Sequence, residues 1–532
     1  MGRIPRQAIG FASAVAVALA LPAAAPAAPP FINGVTAGEI TQDSAIIWGQ
    51  TATTGNVRAH VATAGGFENL VAKRTLRAKP KADRTFQLEI KGLKPGSTYR
   101  YRFCQRQSCS DVGSFETAPD PDQARTISFA YTGDETGVAA PGQSTPFFGD
   151  MKAFRSMVTE GNHFNIDFGD TIYSDPEIPN FPTAITVEEK WQMYRAKLAL
   201  ANQRAIRASA GLYNHWDDHE FINDFSKAED GAQIYENGVQ AFRDYMPVTY
   251  GKKDGIYRSF RWGKNLELFF LDERSFRSAK ASANGICDNP ATPGAADLAP
   301  TAPAASRALF SALAPSLAEP VSPVCLATIN SRDRDYLGDA QLNRFLHDVE
   351  SSTATWKVVM NELPIQQFYA LPYDRWEGYA HERAQLLNAL SAADIDHLVF
   401  LSTDVHAALA NVIRYRTLPG DSAPSNVPAG TPPLNTPYQD FAIGPVATRN
   451  LWRQIDDTTG IPGSGALLSN AFFKPPVSSG GMGMACAQGG ENSYAEVTVT
   501  SSQLTVEYKD EDGNILLDSN GTTPCGPYVL TE

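Results

Sequence analysis

The sequence predicts a mixed fold in which a small all-β domain precedes a larger α/β region. Apolar and polar residues alternate as far as Pro119, which predicts strands. After Asp122, short apolar runs are separated by segments with apolar residues three and four apart, which predicts strands alternating with helices. A chain of 532 residues is also too long for one simple core, so two or three domains are expected.

Residues 1–28 have the pattern of a secretory signal peptide. Arg3 and Arg6 precede an apolar stretch at residues 9–21, and small residues lie ahead of Pro29. The stretch is shorter than the roughly 18 to 20 residues that span a bilayer, so we expect cleavage rather than a membrane anchor. The sequence therefore predicts an exported protein, periplasmic or secreted.

Residues 31–119 are expected to form a fibronectin-like β-sandwich. Alternation is clear at residues 44–48 and 86–90, and a Pro-Gly turn follows Lys94. Residues 124–532 form the predicted catalytic domain. Within it, residues 279–324 are rich in Ala, Pro and Ser, which indicates an inserted loop, either a lid over a site or an inert surface insertion.

Each apolar run of the α/β region leads into side chains that suit a metal or a phosphate. In layered α/β folds, ligands bind beyond the carboxyl ends of strands, so these side chains are expected to converge. A single Asp after a strand is usually a turn or a helix cap, but six such runs are hard to explain in that way. The runs and the residues that follow are 127–131 with Asp134, 164–168 with Asp170, 212–213 with Asp217, Asp218 and His219, 266–271 with Asp272 and Arg274, 356–360 with Asn361, and 398–401 with Asp404 and His406.

The chemistry of these side chains favours hard cations. Carboxylates with one or two imidazoles and a phenol suit ferric iron, calcium, manganese or zinc. Two such ions about 3.5 to 4 Å apart can clamp a phosphate ester and ionise an attacking water. Asp170, on a tight turn after Gly169, is the carboxylate expected to bridge the two ions.

The net charge restricts the possible binding partners, and the cysteine content predicts disulfides. The net charge of −13 becomes −15 once Arg3 and Arg6 leave with the signal, so a stable nucleic-acid partner is not expected. Six cysteines in an exported chain predict disulfides, although six allow 15 connectivities. Sequence proximity favours Cys104 with Cys109, Cys287 with Cys325, and Cys486 with Cys525.

Five motifs, in this order, resemble those of the alkaline phosphatase D (PhoD-like) family of metallophosphatases, which is related to the purple acid phosphatases. The motifs are Gly133-Asp134-Glu, Gly169-Asp-Thr-Ile-Tyr173, Trp216-Asp-Asp-His-Glu220, Leu271-Asp-Glu-Arg274 and Leu401-Ser-Thr-Asp-Val-His406. The resemblance covers residues 124–445, and the preceding β-sandwich also matches. It implies a layered metallophosphoesterase-type β-sandwich core flanked by helices.

The resemblance also implies roles for individual residues. A ferric ion would be held by Asp134, Asp170, Tyr173 and His406, and a second ion, calcium or zinc, by Asp170, Asp218, Asp404 and Asn361. Arg274 would clamp the phosphate and His219 would protonate the leaving group. Other interpretations stay open for three of them: Tyr173 as a core or rim residue, Arg274 paired with Asp272 or Glu273, and Asn361 bonded to backbone groups.

This sequence departs from the family at Asp134, where members typically carry a cysteine. A carboxylate oxygen is a harder ligand than a thiolate sulfur and favours harder metal ions, so the identity of the first metal is open. We expect a hydrolase of small phosphate mono- or diesters that uses a metal-bound hydroxide, an alkaline phosphatase with phosphodiesterase breadth. The alternatives are a dedicated phosphodiesterase resembling phospholipase D of that family and, in another class, a surface-binding protein with an inactive core.

Overall fold

The computed structural model describes residues 1–2, 31–415 and 435–532, and the predicted signal peptide lies almost entirely outside them. Residues 31–119 form a sandwich of two antiparallel sheets, so the predicted all-β domain is confirmed. One sheet has the order β1-β2-β5 and the other β4-β3-β6-β7, with β8 also on β6. The strands are β1 Phe31–Gly38, β2 Ser44–Thr51, β3 Gly55–Thr63, β4 Leu70–Ala78, β5 Thr85–Lys91, β6 Thr98–Gln105, β7 Ser108–Cys109 and β8 Gly113–Glu116.

Fifteen further strands are described after residue 126, and most build two large sheets. They are β9 Ile127–Thr132, β10 Phe164–Phe168, β11 Gly211–His215, β12 Arg258–Trp262, β13 Leu266–Phe270, β14 Asp288–Asn289, β15 Thr292–Ala296, β16 Trp356–Asn361, β17 Leu398–Ser402, β18 Ala408–Arg414, β19 Asn435–Ala442, β20 Cys486–Gln488, β21 Ser493–Val499, β22 Gln503–Asp510 and β23 Tyr528–Thr531.

The two large sheets face each other across one core. The first has the order β11-β10-β9-β21-β22-β23, and the second β12-β13-β16-β17-β19-β18-β20. The ring of Phe164 lies 4.4 Å from that of Trp262, and Tyr213 lies 5.7 Å from Phe270. Strands β9, β10 and β11 are parallel in one sheet, and β13, β16, β17 and β19 are parallel in the other.

Helices cover the outer faces of these sheets, so the predicted layered α/β core is confirmed. Phe154 and Ile206 pack on Leu212 of the first sheet, while Phe345 and Leu386 pack near Phe400 of the second. The α-helices are α1 Lys152–Glu160, α2 Val187–Leu198, α3 Ala201–Ser209, α4 Lys227–Asp230, α5 Ala232–Tyr245, α6 Ala304–Ser311, α7 Pro323–Ile329, α8 Asp339–Ser351, α9 Ala380–Ala392, α10 Leu451–Thr459 and α11 Ser464–Leu468. No helix among the described residues is long and apolar enough to cross a membrane.

The small sandwich packs on the catalytic region through β1, β2, β5 and β8. Trp48 Nε1 donates to the carbonyl of Asp244 at 2.8 Å, and the guanidinium of Arg207 lies 4.7 Å from the Trp48 ring. The Tyr245 hydroxyl donates to Asp83 at 2.5 Å. These buried polar contacts fix the sandwich against α3 and α5.

The segment expected as an inserted loop is instead folded, which corrects that prediction. Residues 279–324 contain the β14–β15 hairpin, α6 and the start of α7. Cys287 and Cys325 form a buried disulfide, and Tyr373 donates to the carbonyl of Asp297 at 2.7 Å. Composition alone indicated a loop because Ala, Pro and Ser give no periodic pattern, whereas tertiary contacts and the disulfide order the chain.

All three predicted disulfides are formed. Cys104 pairs with Cys109 across β6 and β7, Cys287 with Cys325, and Cys486 on β20 with Cys525. The described part of the chain contains no free cysteine. The pairs agree with sequence proximity, and the last one joins the second large sheet to the segment that precedes β23.

Candidate active site

Side chains that follow five of the six predicted strands converge at one edge of the core. Asp134 follows β9, Asp170 follows β10 and Asp218 follows β11, all on the first sheet. Arg274 and Asp404 follow β13 and β17 of the second sheet. The carboxyl ends of parallel strands therefore bring residues that are up to 272 positions apart, Asp134 and His406, into one buried group.

The backbone at this edge adopts left-handed conformations that are uncommon for residues other than glycine. Asp134 has φ 61°, Asp170 φ 52°, Asp404 φ 64° and His406 φ 50°. A Cβ added at Gly444 would lie 2.4 Å from Asp134 Oδ2, so only glycine fits beside that carboxylate. Such conformations concentrate at functional sites because the surrounding structure must enforce them.

One group of side chains contains Asp134, Asp170, His406 and Tyr173. Ligand-type atoms of the two aspartates and the histidine lie within 4.8 Å of one another. The Tyr173 hydroxyl lies 2.8 Å from His406 Nε2. His406 Nδ1 lies 2.6 Å from the carbonyl of Arg449, so Nδ1 carries the proton and the Nε2 lone pair is directed into the site.

A second group joins the first through Asp170. Atoms of Asp170, Asp218 and His219 lie within 4.8 Å of one another, as do those of Asp217, Asp218 and Asp404. The two groups share Asp170, which is the position expected for a bridging carboxylate.

Buried oxygens without partners show that these groups suit cations. Asp134 Oδ2, Asp217 Oδ2 and Asp218 Oδ1 are buried and accept no hydrogen bond. Burial and the neighbouring Asp218 raise the pKa of Asp170, and burial with Asp217 nearby raises the pKa of Asp134. Carboxylates kept close together in a dry site are stable as anions only if positive charge lies between them, and two hard cations would supply it.

Arg274 is buried among carboxylates. Its Nε donates to Asp217 at 2.5 Å, and Nη1 donates to Asp374 at 2.8 and 3.1 Å. The side chain therefore does not pair with Asp272 or Glu273, which were the partners considered from sequence. Nη2 has no hydrogen-bond partner and lies 3.8 Å from Asp218 and 3.6 Å from Asp404. One free donor is thus directed at the second group.

His219 is buried beside Asp170 and Asp175. Its backbone N–H donates to Asp170 Oδ1 at 3.1 Å, and its Nδ1 lies 2.6 Å from Asp175 Oδ1. Burial lowers the pKa of His219, but Asp218 and Asp175 outweigh burial and raise it to about 9. The carboxylate in contact with the imidazole is that of Asp175.

Asn361 is placed differently from the other predicted ligands. Its amide donates to the carbonyl of Leu363, and its Oδ1 accepts from Trp376 Nε1 at 3.2 Å. Both ends of the side chain have protein partners, which is the alternative considered from sequence. A ligand role for Asn361 stays a prediction.

Several residues that hold the site together were not among the ligands and catalytic residues predicted from sequence. Glu220 accepts from the backbone of Thr171 at 2.5 Å and of Asp217 at 2.9 Å, so it joins the two loops that follow β10 and β11. Lys197, fully buried on α2, pairs with Glu135 and donates to the carbonyl of Thr171 at 2.7 Å. Glu135 and Thr171 directly follow Asp134 and Asp170, but nothing in the local sequence links them to α2.

Two facing sheets, with carboxylates and imidazoles beyond the ends of their parallel strands, define a layered α/β protein of the metallophosphatase type. A family model described as "PhoD-like phosphatase" matches residues 137–518, and one described as "PhoD-like phosphatase, N-terminal domain" matches residues 15–119. The chain belongs to the PhoD-like phosphatase family, and the resemblance noted in its motifs is confirmed.

Individual relatives agree with this family. Alkaline phosphatase D of Bacillus subtilis (strain 168) is 24% identical over 427 residues, which are 72% of this chain and 65% of that protein. The match thus spans less than two thirds of that relative. A solved structure of PhoD covers 96% of this chain and 90% of its own, with TM-score 0.67 and 20% identity. The purple acid phosphatase PPD1 from yellow lupin (Lupinus luteus) seeds covers 92% of this chain and 74% of its own, with TM-score 0.52 and 12% identity.

Proposed function

We propose that the protein is an exported, metal-dependent hydrolase of phosphoric esters, an alkaline phosphatase that also accepts diesters. Membership of the PhoD-like phosphatase family supports the reaction class. The observation that carries the proposal is the pair of ligand groups that share Asp170 and leave buried carboxylate oxygens of Asp134 and Asp218 without partners. A core that had lost catalysis has no physical reason to retain such mutually repelling groups.

The residues around the site divide into two sets of ligands. Asp134, Asp170, Tyr173 and His406 would hold one ion. Asp170, Asp218 and Asp404 would hold the second, with Asn361 as an additional ligand if its amide exchanges partners. With carboxylate at residue 134 in place of the family cysteine, ferric iron remains our choice for the first ion and calcium for the second, with zinc or manganese as substitutes.

The chain's own groups then bind and orient the ester. The cations, when bound, polarise the phosphate and acidify water. Arg274 Nη2 is the free donor closest to Asp218 and Asp404, so it would contact a phosphate oxygen between them. Asp217 and Asp374 hold the guanidinium in place. His219, oriented by Asp175, would donate its proton to the leaving oxygen as the bond to phosphorus breaks.

The test is elemental analysis of purified protein combined with rates on nitrophenyl phosphate and bis-nitrophenyl phosphate. We expect two metal ions per chain, hydrolysis of both esters, and loss of both activities on chelation with recovery on adding the ions back. Full activity in thoroughly chelated protein would contradict the metal dependence. Hydrolysis of the diester alone would instead support the dedicated phosphodiesterase, and a metal-loaded but inactive protein would support the surface-binding alternative.

Export is tested separately on protein recovered from cells of the native host. We expect the mature chain to begin near Pro29 and to be recovered outside the cytoplasm. An N-terminus that retains Arg3 and Arg6 in fully soluble cytoplasmic protein would contradict this part of the proposal.

A further inference from the structure

The outer sheet of the small sandwich presents a basic face. Strands β3, β4 and β6 contain no acidic residue. The five arginines and lysines Arg58, Lys73, Arg74, Arg77 and Arg100 on these strands are exposed, and Arg102 is half-buried. The main contacts with α3 and α5 are made by β1, β5 and β8, whereas β3, β4 and β6 contact chiefly other strands of the sandwich, so their outer face lies away from the catalytic region.

The strand register places several of these cations on the same side of the sheet. Residues directly opposite on antiparallel strands point to the same face. His60 on β3 lies opposite Lys73 on β4 and Arg102 on β6. At neighbouring levels of the same face, Asn56 lies opposite Arg77, Arg58 opposite Thr75 and Cys104, and Ala62 opposite Arg100.

These positive charges are not neutralised locally. Among the described residues, no carboxylate forms an ion pair with Arg58, Lys73, Arg77, Arg100 or Arg102. Arg58 donates to the carbonyl of Arg106 at 3.0 Å, and Arg102 lies over the Phe67 ring at 4.2 Å. Burial and the nearby charges of Arg102, Lys73 and Arg58 lower the pKa of His60, as expected of a cationic surface.

The charge of the sandwich is opposite to that of the chain as a whole. Residues 31–119 contain 12 Lys and Arg against 7 Asp and Glu, whereas the whole chain has a net charge of −13. The positive charge is therefore concentrated on one small domain, and the catalytic region is strongly negative. A charged face that served only for solubility would not need the sign opposite to the rest of the protein.

Apolar side chains are exposed at one end of the same sheet. Leu70 and Val71, at the start of β4, are 36% and 49% exposed, and Phe67 lies in the turn that precedes them. Glu68 is the acidic residue of that turn. Cations next to exposed apolar side chains fit a lipid bilayer surface, where the cations meet anionic headgroups and the apolar groups reach the acyl boundary.

We propose that the face formed by β3, β4 and β6 binds reversibly to an anionic lipid bilayer surface. The contact is peripheral and adds no membrane-spanning element. It would hold the negatively charged catalytic region near a surface that otherwise repels it. A soluble polyanion would also contact the cations, but it offers no apolar surface on which Leu70 and Val71 could be buried. The inference concerns only the sandwich and holds whether or not the catalytic proposal is correct.

The experiment measures partition of the full mature chain onto sedimented vesicles. One set is pure phosphatidylcholine, and the other contains about one third phosphatidylglycerol. We expect binding to the second set only, with strong loss between about 50 and 500 mM NaCl because headgroup attraction is screened. In the variant Lys73→Gln, Arg77→Gln, Arg100→Gln we expect roughly a hundredfold weaker partition, since each cation adds to the attraction near the surface.

The matched control is Lys252→Gln, Lys253→Gln, Arg332→Gln, which removes three exposed cations from the catalytic region. It is expected to bind like the unmodified chain, and both variants are expected to keep the unmodified rate on a soluble nitrophenyl ester. Absence of binding to the anionic vesicles, or equal loss in the two variants, would overturn the proposal. Binding to soluble polyphosphate without binding to vesicles would overturn it in favour of a soluble polyanion.

Discussion

Asp175 Oδ1 lies 2.6 Å from Nδ1 of His219, and the other oxygen of this carboxylate accepts from the backbone of Asn223 at 2.9 Å. The ring of Tyr173 stacks on the imidazole with 4.0 Å between centroids. These contacts fix the ring on two sides and direct Nε2 towards Asp170, 4.0 Å away. His219 is therefore held with one nitrogen bound and the other directed at the space where a phosphate ester would lie.

Replacement of His219 tests its role as the acid for the leaving group. In His219→Ala we expect both metal ions to remain and the rate on an alkyl phosphate to fall by about 100 to 10,000-fold, because a poor leaving group needs the proton. The rate on a nitrophenyl phosphate should fall much less. Steady-state rates on the two esters, with metal analysis, provide the measurement. Equal losses with metals intact would exclude the leaving-group role, whereas loss of metal would make His219 a ligand.

Replacement of Asp175 tests whether this carboxylate acts through His219. Asp175→Ala should show the same preference for nitrophenyl over alkyl esters, in weaker form, because the imidazole loses its orientation. Added to His219→Ala, it should cause almost no further loss, since residues that act as one unit are not additive. Rates of the two single variants and the double variant give the coupling. Additive losses would mean that Asp175 affects the reaction by another route.

Replacement of Asp170 tests the bridge between the two ligand groups. Asp170→Asn removes one negative charge that both groups share, so we expect reduced content of both ions and loss of activity. Asp333→Asn, which changes an exposed carboxylate outside both ligand groups, is the matched control and should keep both ions. Elemental analysis after extensive dialysis measures how many metal ions each variant retains. Two ions at full occupancy in Asp170→Asn would show that Asp170 does not bridge them.

Replacement of Asp134 tests the effect of ligand hardness. Asp134→Cys introduces the thiolate typical of the family, so we expect a bound ion with selectivity shifted towards softer metals such as zinc. Competition between iron and zinc, followed by elemental analysis, measures the shift. Unchanged selectivity with unchanged metal content would place Asp134 outside the ligand set.

Glu496 on β21 predicts a change of stability with pH that is independent of the metals. Its side chain is 9% exposed, and burial raises its pKa to about 8 from 4.5, although Asn162 donates to it at 3.0 Å. Between these values the folded chain binds more protons than the unfolded chain. Stability therefore falls as pH rises through this window, by up to about 1.4 kcal/mol per pH unit.

The variant Glu496→Gln removes this titration. We expect its melting temperature to match that of the unmodified protein near pH 4.5 and to exceed it near pH 8. Glu236→Gln, which removes an exposed carboxylate from α5, gives the background effect of losing one charge. A melting difference for Glu496→Gln that is the same at both pH values would contradict the raised pKa.

The sequence was sufficient to predict most of the site residues that lie at the ends of strands. Asp134, Asp170, Asp218 and Asp404 each lie shortly after an apolar run, and parallel strands place the ends of such runs together. Local pattern and topology were sufficient for these residues. The disulfides followed from proximity in the chain because each pair closes a short segment of at most 39 residues.

Other parts of the site could not be predicted, because loops and side-chain choices depend on tertiary contacts. Asp374 lies in a loop that follows no nearby strand, yet it holds Arg274. Lys197 contacts the loop after β10 from the last turn of α2, and nothing in the sequence of this helix distinguishes a buried lysine from an exposed one. Asp175 lies two positions after Tyr173 of a recognised motif, which could have drawn attention to it. Its partner His219 is 44 residues away, so the contact between them could not be read from the local sequence.

The pairing of β9 with β21 affects how the chain can be made. β9 occupies residues 127–132, and its partner on one side is supplied by residues 495–499. At a synthesis rate of about 5 to 20 residues per second, β9 would wait roughly 20 to 70 s for that partner. During this interval the nascent polypeptide exposes an unpaired apolar strand edge, a state prone to aggregation and accessible to a chaperone. Folding of the central layer is therefore a late event that follows synthesis of nearly all described residues, and it is expected to be slow because the pairing spans so much of the chain.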